Sequence, residues 1–96
     1  MLFKKYFGEK DWKIMWAICS AESGLNPKAI SRPNKDKSID WGICQINDKA
    51  HKNKYTDTNE LLDTENNIRI AKIIKDDSGW NAWTVFKSGA YKKYIK

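Results

Sequence analysis

The chain has 96 residues, with 18 Lys+Arg against 12 Asp+Glu for a formal net charge of +6, and is 41% hydrophobic and 31% charged. That balance excludes a disordered chain, and residues 1–96 are expected to form a single domain, too short for a second core. No apolar run approaches the ~18 residues of a membrane span, and five tryptophans in so short a basic chain suit a protein that binds a polymer.

The opening Met1-Leu2-Phe3-Lys4-Lys5-Tyr6-Phe7 lacks the hydrophobic segment and small-residue cleavage site of a signal peptide, so none is expected. Glu9 to Ser23 is the first periodic stretch. Trp12, Met15, Trp16 and Cys19 follow the i, i+3, i+4, i+7 rule, with Ile14, Ala17, Ile18 and Ala21 filling most of the remaining face. A helix apolar nearly all round is a buried one. Asp11 is a candidate N-cap or first-turn acid, Gly24 a candidate C-cap. Trp12 and Trp16 are expected in the core.

Residues 25–40 read as loop and turns. Ile39, Trp41, Ile43 and Ile46 then suggest a small hairpin around residues 36–46. Trp41 is open between core and groove wall, as is Trp80. Asp48–Tyr55 and Thr58–Leu62 read as short pieces, and His51 as a surface or turn residue. Asp63 or Thr64 caps a helix to about Asp77, lined by Ile68, Ala71 and Ile74. Ser78-Gly79 breaks it. Asn81–Lys87 is a short helix, Gly89 ends it, and Tyr91–Ile95 is a last amphipathic turn. The expected class is α+β, mostly α, with a central buried helix and a small β-hairpin.

Cys19 and Cys44 have no metal spacing, and one histidine cannot supply a cluster, so no metal or other cofactor is expected. Free cysteines are among the most buried residues, so two buried thiols are the expectation. Pairing them would tie the Glu22 helix to the Gln45 strand.

Glu22 is the residue to explain. It follows Met15, Ile18 and Cys19 at helical spacing, on or beside the buried face. Burial and the negative end of the helix dipole would both raise its pKa, which suits a general acid. An exposed Glu at a fraying helix end fits the periodicity as well. Asp40 offers a second carboxyl across a cleft, the pairing glycosidases use; a turn Asp bonded to local backbone is its other reading.

Several segments carry a family resemblance. Ala21-Glu22-Ser23-Gly24-Leu25-Asn26-Pro27-Lys28-Ala29-Ile30-Ser31 resembles the opening Glu-Ser-x-x-Asn-Pro-x-Ala-x-Ser of the soluble lytic transglycosylase catalytic domain. Asp40-Trp41-Gly42-Ile43-Cys44-Gln45-Ile46-Asn47 resembles a segment of C-type lysozymes and of small secretion-system transglycosylases. Asn66-Asn67-Ile68, Asn81-Ala82-Trp83 and Ser88-Gly89-Ala90-Tyr91 are similar to later motifs of the same superfamily, in the same order. The resemblance implies a lysozyme-like fold and cleavage of the β-1,4 bond between N-acetylmuramic acid and N-acetylglucosamine.

By the same resemblance, Glu22 is the catalytic acid and Asp40 the second carboxylate. Trp83 packs against the acid, Gln45 and Asn47 hold sugar N-acetyl and hydroxyl groups, and Asn34 lies near Asp40. Ser23 either hydrogen-bonds near the acid or helps end the helix. Lys49, Ala50 and His51 stand where animal lysozymes carry a tryptophan pair, and the multiple disulfides of those proteins are absent.

The expected partner is bacterial peptidoglycan, met by a monomer that does not insert into membranes. The lysine runs 49–54 and 92–96 read as solvated faces. A nucleic-acid-binding domain would also suit the charge, but no nucleic-acid motif is present and none is expected as partner. A catalytically dead binding module is disfavoured by the retention of both Glu22 and Asp40. The alternative within the enzyme class is a lytic transglycosylase, using Glu22 alone and giving 1,6-anhydro products. The compartment is left open: phage release and excision from a longer secretion or tail protein both fit.

Overall fold

The computed structural model describes residues 2–95, so Met1 and the last residue of the 92–96 lysine run lie outside it. The elements in chain order are α1 (Leu2–Ser23), β1 (Asp40–Trp41), β2 (Ile46–Asn47), α2 (Thr64–Ser78) and α3 (Thr84–Ser88). Short 3₁₀ helices at Lys52–Lys54, Thr58–Leu62, Trp80–Ala82 and Ala90–Tyr94 connect and close them. The mostly helical α+β class is as expected.

The first helix begins earlier than its strongest periodicity. Gly8, with φ 78° and ψ 175°, breaks α1 into two helical pieces, a conformation that favours glycine. The short leading piece forms because Phe3 and Phe7 are buried against the core. The second piece is the predicted buried helix. Met15, Ala17, Ile18 and Cys19 are fully enclosed, while Trp12 and Trp16 pack at the core edge, partly exposed. Of its two expected roles Asp11 takes the first-turn one, three residues past the Gly8 break, and it pairs with Lys75 of α2 at 3.5 Å. Gly24 ends the helix, its N–H donating to the Ser20 carbonyl.

The hairpin is smaller than expected. β1 and β2 pair antiparallel, Asp40 opposite Asn47 and Trp41 opposite Ile46. Ile43 is not in a strand, because residues 42–45 form a turn. Gly42 has φ 80° and Gln45 φ 53°, backbone incompatible with a continuing strand. The turn drives Ile43 and Cys44 inward, where both are buried.

Gly42 is also the closest approach of the hairpin to the rest of the fold. A Cβ there would overlap the Leu61 carbonyl and the Asn67 side-chain amide. Asn67, fully buried at the start of α2, donates from Nδ2 to the Trp41 and Leu61 carbonyls and accepts from the Cys44 N–H. One side chain thus satisfies three backbone groups that the turn would otherwise bury unpaired.

Cys19 and Cys44 are disulfide-bonded, which overturns the expectation of free thiols. The inward turn brings the two Cα atoms to 4.4 Å, at the close end of disulfide geometry. The bond ties the buried face of α1 to the turn that precedes Gln45.

Asp63 caps α2, its side chain accepting from the Asn66 N–H. Ile68, Ile70, Ala71 and Ile74 are buried and Ile73 is exposed. Trp80 stacks between Phe7 and Phe86, and Phe86 stacks on Tyr91, joining α1 to α3 and the C-terminal 3₁₀ turn. No helix among the described residues is long and apolar enough to cross a membrane.

Candidate active site

The end of α1, the hairpin and the entry to α3 enclose a cleft of about 390 Å³. Glu22, Asn34, Asp40, Gln45, Asn47 and Trp83 all line it. Six of the seven residues singled out from the sequence therefore come together.

Ser23 does not line the cleft. Its hydroxyl donates to the Ile43 carbonyl at 2.6 Å and accepts from the Asn26 N–H. Of the two roles open to Ser23, these bonds are those of the helix-end one, fastening α1 to the 42–45 turn. Trp41 and Trp80 do not line the cleft either. Trp41 Nε1 donates to Asp48 at 3.2 Å, and Trp80 lies in the aromatic stack.

The two carboxyls occupy different surroundings. Glu22 is partly buried, and its pKa is raised from 4.5 to about 7, first by burial and then by the negative charge of Asp40. Trp83, Ile74 and Ile46 supply apolar lining. Trp83 is 4% exposed and is held by its Nε1–H, which donates to the Cys44 carbonyl at 3.2 Å. The indole is therefore anchored to the same residue that the disulfide anchors to α1.

Asp40 sits in a hydrogen-bonded polar ribbon. Its Oδ1 accepts from Asn47 Nδ2 at 3.0 Å. The other Asn47 Nδ2 hydrogen goes to Ser38 Oγ at 2.9 Å, and Asn47 Oδ1 accepts from the Lys49 and Ala50 N–H groups. Ser38, 1% exposed, also accepts from Asn34 Nδ2 and donates to Asp36 Oδ1. Asp40 is thus the end of a chain running Asp36, Ser38, Asn47, Asp40. Asn34 reaches Asp40 only through Ser38 and Asn47.

Gln45 is committed in a similar way. Both hydrogens of its Nε2 are taken, by the Ala29 and Gly42 carbonyls. Ser38, Asp36 and Asn67 carried no sequence signal of this role beyond the Asn66-Asn67-Ile68 resemblance. His51 is a turn residue, as read from the sequence, and it also lines the cleft. No group of three or more His, Cys, Asp or Glu side chains that could hold a metal ion occurs among the described residues.

A buried helix ending in a proton-retaining glutamate, across a cleft from a hairpin carrying an aspartate, is the arrangement of a lysozyme-like domain. The lysozyme-like domain family matches the chain over residues 5–85, and the chain belongs to that family. It is 31% identical over 90 residues to lysozyme X of Drosophila melanogaster, covering 80% of this chain and 63% of the relative. It is 36% identical over 94 residues to lysozyme C of Bufo gargarizans andrewsi, covering 82% and 61%. Lysozyme C of Crax fasciolata is 34% identical over 94 residues, covering 82% and 68%. The chain thus spans less than two thirds of the length of the first two. The crystal structure of a lysozyme from Litopenaeus vannamei superimposes with a TM-score of 0.76 at 29% identity, covering 91% of this chain and 79% of that one.

Proposed function

We propose that the chain is a monomeric, single-domain glycosidase of bacterial peptidoglycan. It cleaves the β-1,4 bond between N-acetylmuramic acid and N-acetylglucosamine, with Glu22 as general acid and Asp40 as second carboxylate. The observation that carries this reading is the pairing in one cleft of a glutamate that keeps its proton up to about pH 7 with a neighbouring aspartate. A general acid works best with a pKa near the operating pH.

In this mechanism Glu22 gives its proton to the glycosidic oxygen as the bond to the anomeric carbon breaks. Positive charge develops on the ring carbon and oxygen. Asp40, held in register by Asn47, stabilises that charge or attacks the anomeric carbon. Glu22, now ionised, takes a proton from the incoming water and is restored. Trp83 keeps solvent from the acid and so preserves its raised pKa. The net charge of +6 draws the protein to an anionic wall, a rate effect that weakens with salt.

The test is mass spectrometry of digested peptidoglycan, with wild type beside Glu22→Gln. Reducing N-acetylmuramic acid ends that vanish in the variant are expected. Only 1,6-anhydro ends would make the protein a lytic transglycosylase, with the sugar's own 6-hydroxyl closing the ring. Full activity in Glu22→Gln would overturn the catalytic assignment.

A further inference from the structure

A hairpin of two-residue strands is marginal by its own ladder, yet it carries Asp40 on the cleft wall. The Asn47 amide holds the Asp40 carboxyl itself. On the outer edge Ser31 takes the Asp40 backbone, its Oγ accepting from the Asp40 N–H at 2.9 Å and its N–H donating to the Asp40 carbonyl at 3.0 Å. The residues before and after Asp40 are held by a different group.

That group is Asp48, the residue after β2. Its Oδ1 accepts from the Ile39 N–H at 3.1 Å and its Oδ2 from Trp41 Nε1 at 3.2 Å. The Asp48 N–H donates to the Ile39 carbonyl at 3.0 Å, and the Asp48 carbonyl accepts from the Tyr55 hydroxyl at 2.7 Å. Ile39 and Trp41 are the chain neighbours of Asp40. One carboxylate thus grips Asp40 from both sides, by the backbone before it and the side chain after it, and Tyr55 anchors the residue that does so.

The chemistry asks for an aspartate here. Both groups that meet the Asp48 side chain are donors. A carboxylate presents an acceptor to each, whereas an asparagine of the same size presents one acceptor and a second donor. Neither Asp48 nor Ile39, Trp41 or Tyr55 lines the cleft, while Asp40 does. The grip therefore acts on the reaction through Asp40 and not by contact with a sugar.

We propose that Asp48 is a positioning residue for Asp40: by holding Ile39 and Trp41 together, its carboxylate sets the direction in which Asp40 presents its own to the anomeric carbon. This rests on the glycosidase reading, in which Asp40 is the second carboxylate. Asp48 transfers no proton and touches no substrate.

The experiment measures kcat and KM of the full chain on solubilised, uncross-linked peptidoglycan strands. Asp48→Asn is made in the wild type and again in Asp40→Asn, and circular dichroism confirms that each variant is folded. In the wild type, kcat is expected to fall about ten-fold with KM within about two-fold, since a misaimed group costs rate more than binding. In Asp40→Asn the same substitution is expected to change kcat by less than about two-fold, because a residue acting through Asp40 has nothing left to aim. Trp41→Phe, which removes the indole donor and leaves the carboxylate, is the second variant. It is expected to lower kcat about two- to three-fold, again only where Asp40 is present, and it decides the matter if Asp48→Asn does not fold. Equal losses in the two backgrounds, a loss confined to KM, or full kcat in both variants would each overturn the role of Asp48 alone. Full activity in Asp40→Asn would overturn the second-carboxylate reading and the proposal with it.

Discussion

The two walls of the cleft hold their carboxyls by opposite means. Glu22, on the α1 wall, is surrounded by burial and apolar lining, and hydrogen bonding is not among the causes of its shift. Asp40, on the hairpin wall, is bonded through Asn47 into a chain of polar side chains ending at Asp36. An apolar wall favours the neutral form of a carboxyl, which is the direction of the Glu22 shift. Two groups of the same chemistry thus meet different surroundings, a contrast that lysozymes illustrate generally. Glu22 is distinguished by what is absent around it, and Asp40 by the polar side chain that holds it in place.

The largest test of this contrast is to remove the acid. Glu22→Gln should lower turnover by ~10²–10⁴-fold, the usual worth of general acid catalysis. It should also stabilise the fold at alkaline pH. In the native state the Glu22 pKa is about 7, against 4.5 for the free group. The stability it contributes is complete below pH 4.5 and is lost as pH rises to about 7. Denaturant titrations should therefore show the Gln variant gaining on wild type between these values, by roughly 2 kcal/mol once solvent screening of a partly exposed group is allowed for. A constant difference across pH would break the account of the apolar wall. In wild type, activity should fall as pH rises through about 7.

Asp40→Asn tests the other wall and should cost ~10²–10³-fold in kcat. It also separates the two causes acting on Glu22. Burial is the larger, so the alkaline limb of the residual activity should move to lower pH yet remain above 4.5. A limb unmoved by the substitution would show that the carboxyls do not sense each other.

The disulfide joins the walls. Replacing both Cys19 and Cys44 by alanine should cost about 3 kcal/mol of stability for a closed loop of this length, measured by urea unfolding. Because Trp83 hangs on the Cys44 carbonyl, the alkaline limb should broaden or shift as well. Ser38→Ala is the smallest change. Loss of its hydroxyl frees one Asn47 hydrogen and should cost about 1 kcal/mol of stability, with kcat falling more than KM if the chain to Asp40 matters for the chemistry.

Much of the α1 wall was legible from sequence. Glu22 follows the buried face by spacing and stands in a motif, and the helical periodicity of residues 9–23 is strong. The hairpin wall was less so, because its logic is not periodic. Gln45 adopts a positive φ that no sequence rule assigns to glutamine, and Ser38 and Asp36 look like any turn residues. The disulfide was missed because a separation of 25 residues carries no signal, and a cysteine on a buried helix face is already explained by burial. The leading helical turns were missed because Gly8 interrupts the periodic run, although Phe3 and Phe7 are spaced to share a face.

The helix that carries Glu22 packs more extensively on Ala90–Tyr94 than on any other element. Those partners lie at opposite ends of the described chain. On a ribosome adding ~5–20 residues per second, the helix emerges several seconds before the segment that covers it. Throughout that interval Phe3, Phe7 and Trp12 have no finished core to enter, although the hairpin cysteine, made 25 residues after Cys19, is present for most of it. The segment that carries Glu22 is thus made early and sheltered late, which makes its exposure during synthesis the period when a chaperone or a misfolding partner would find it.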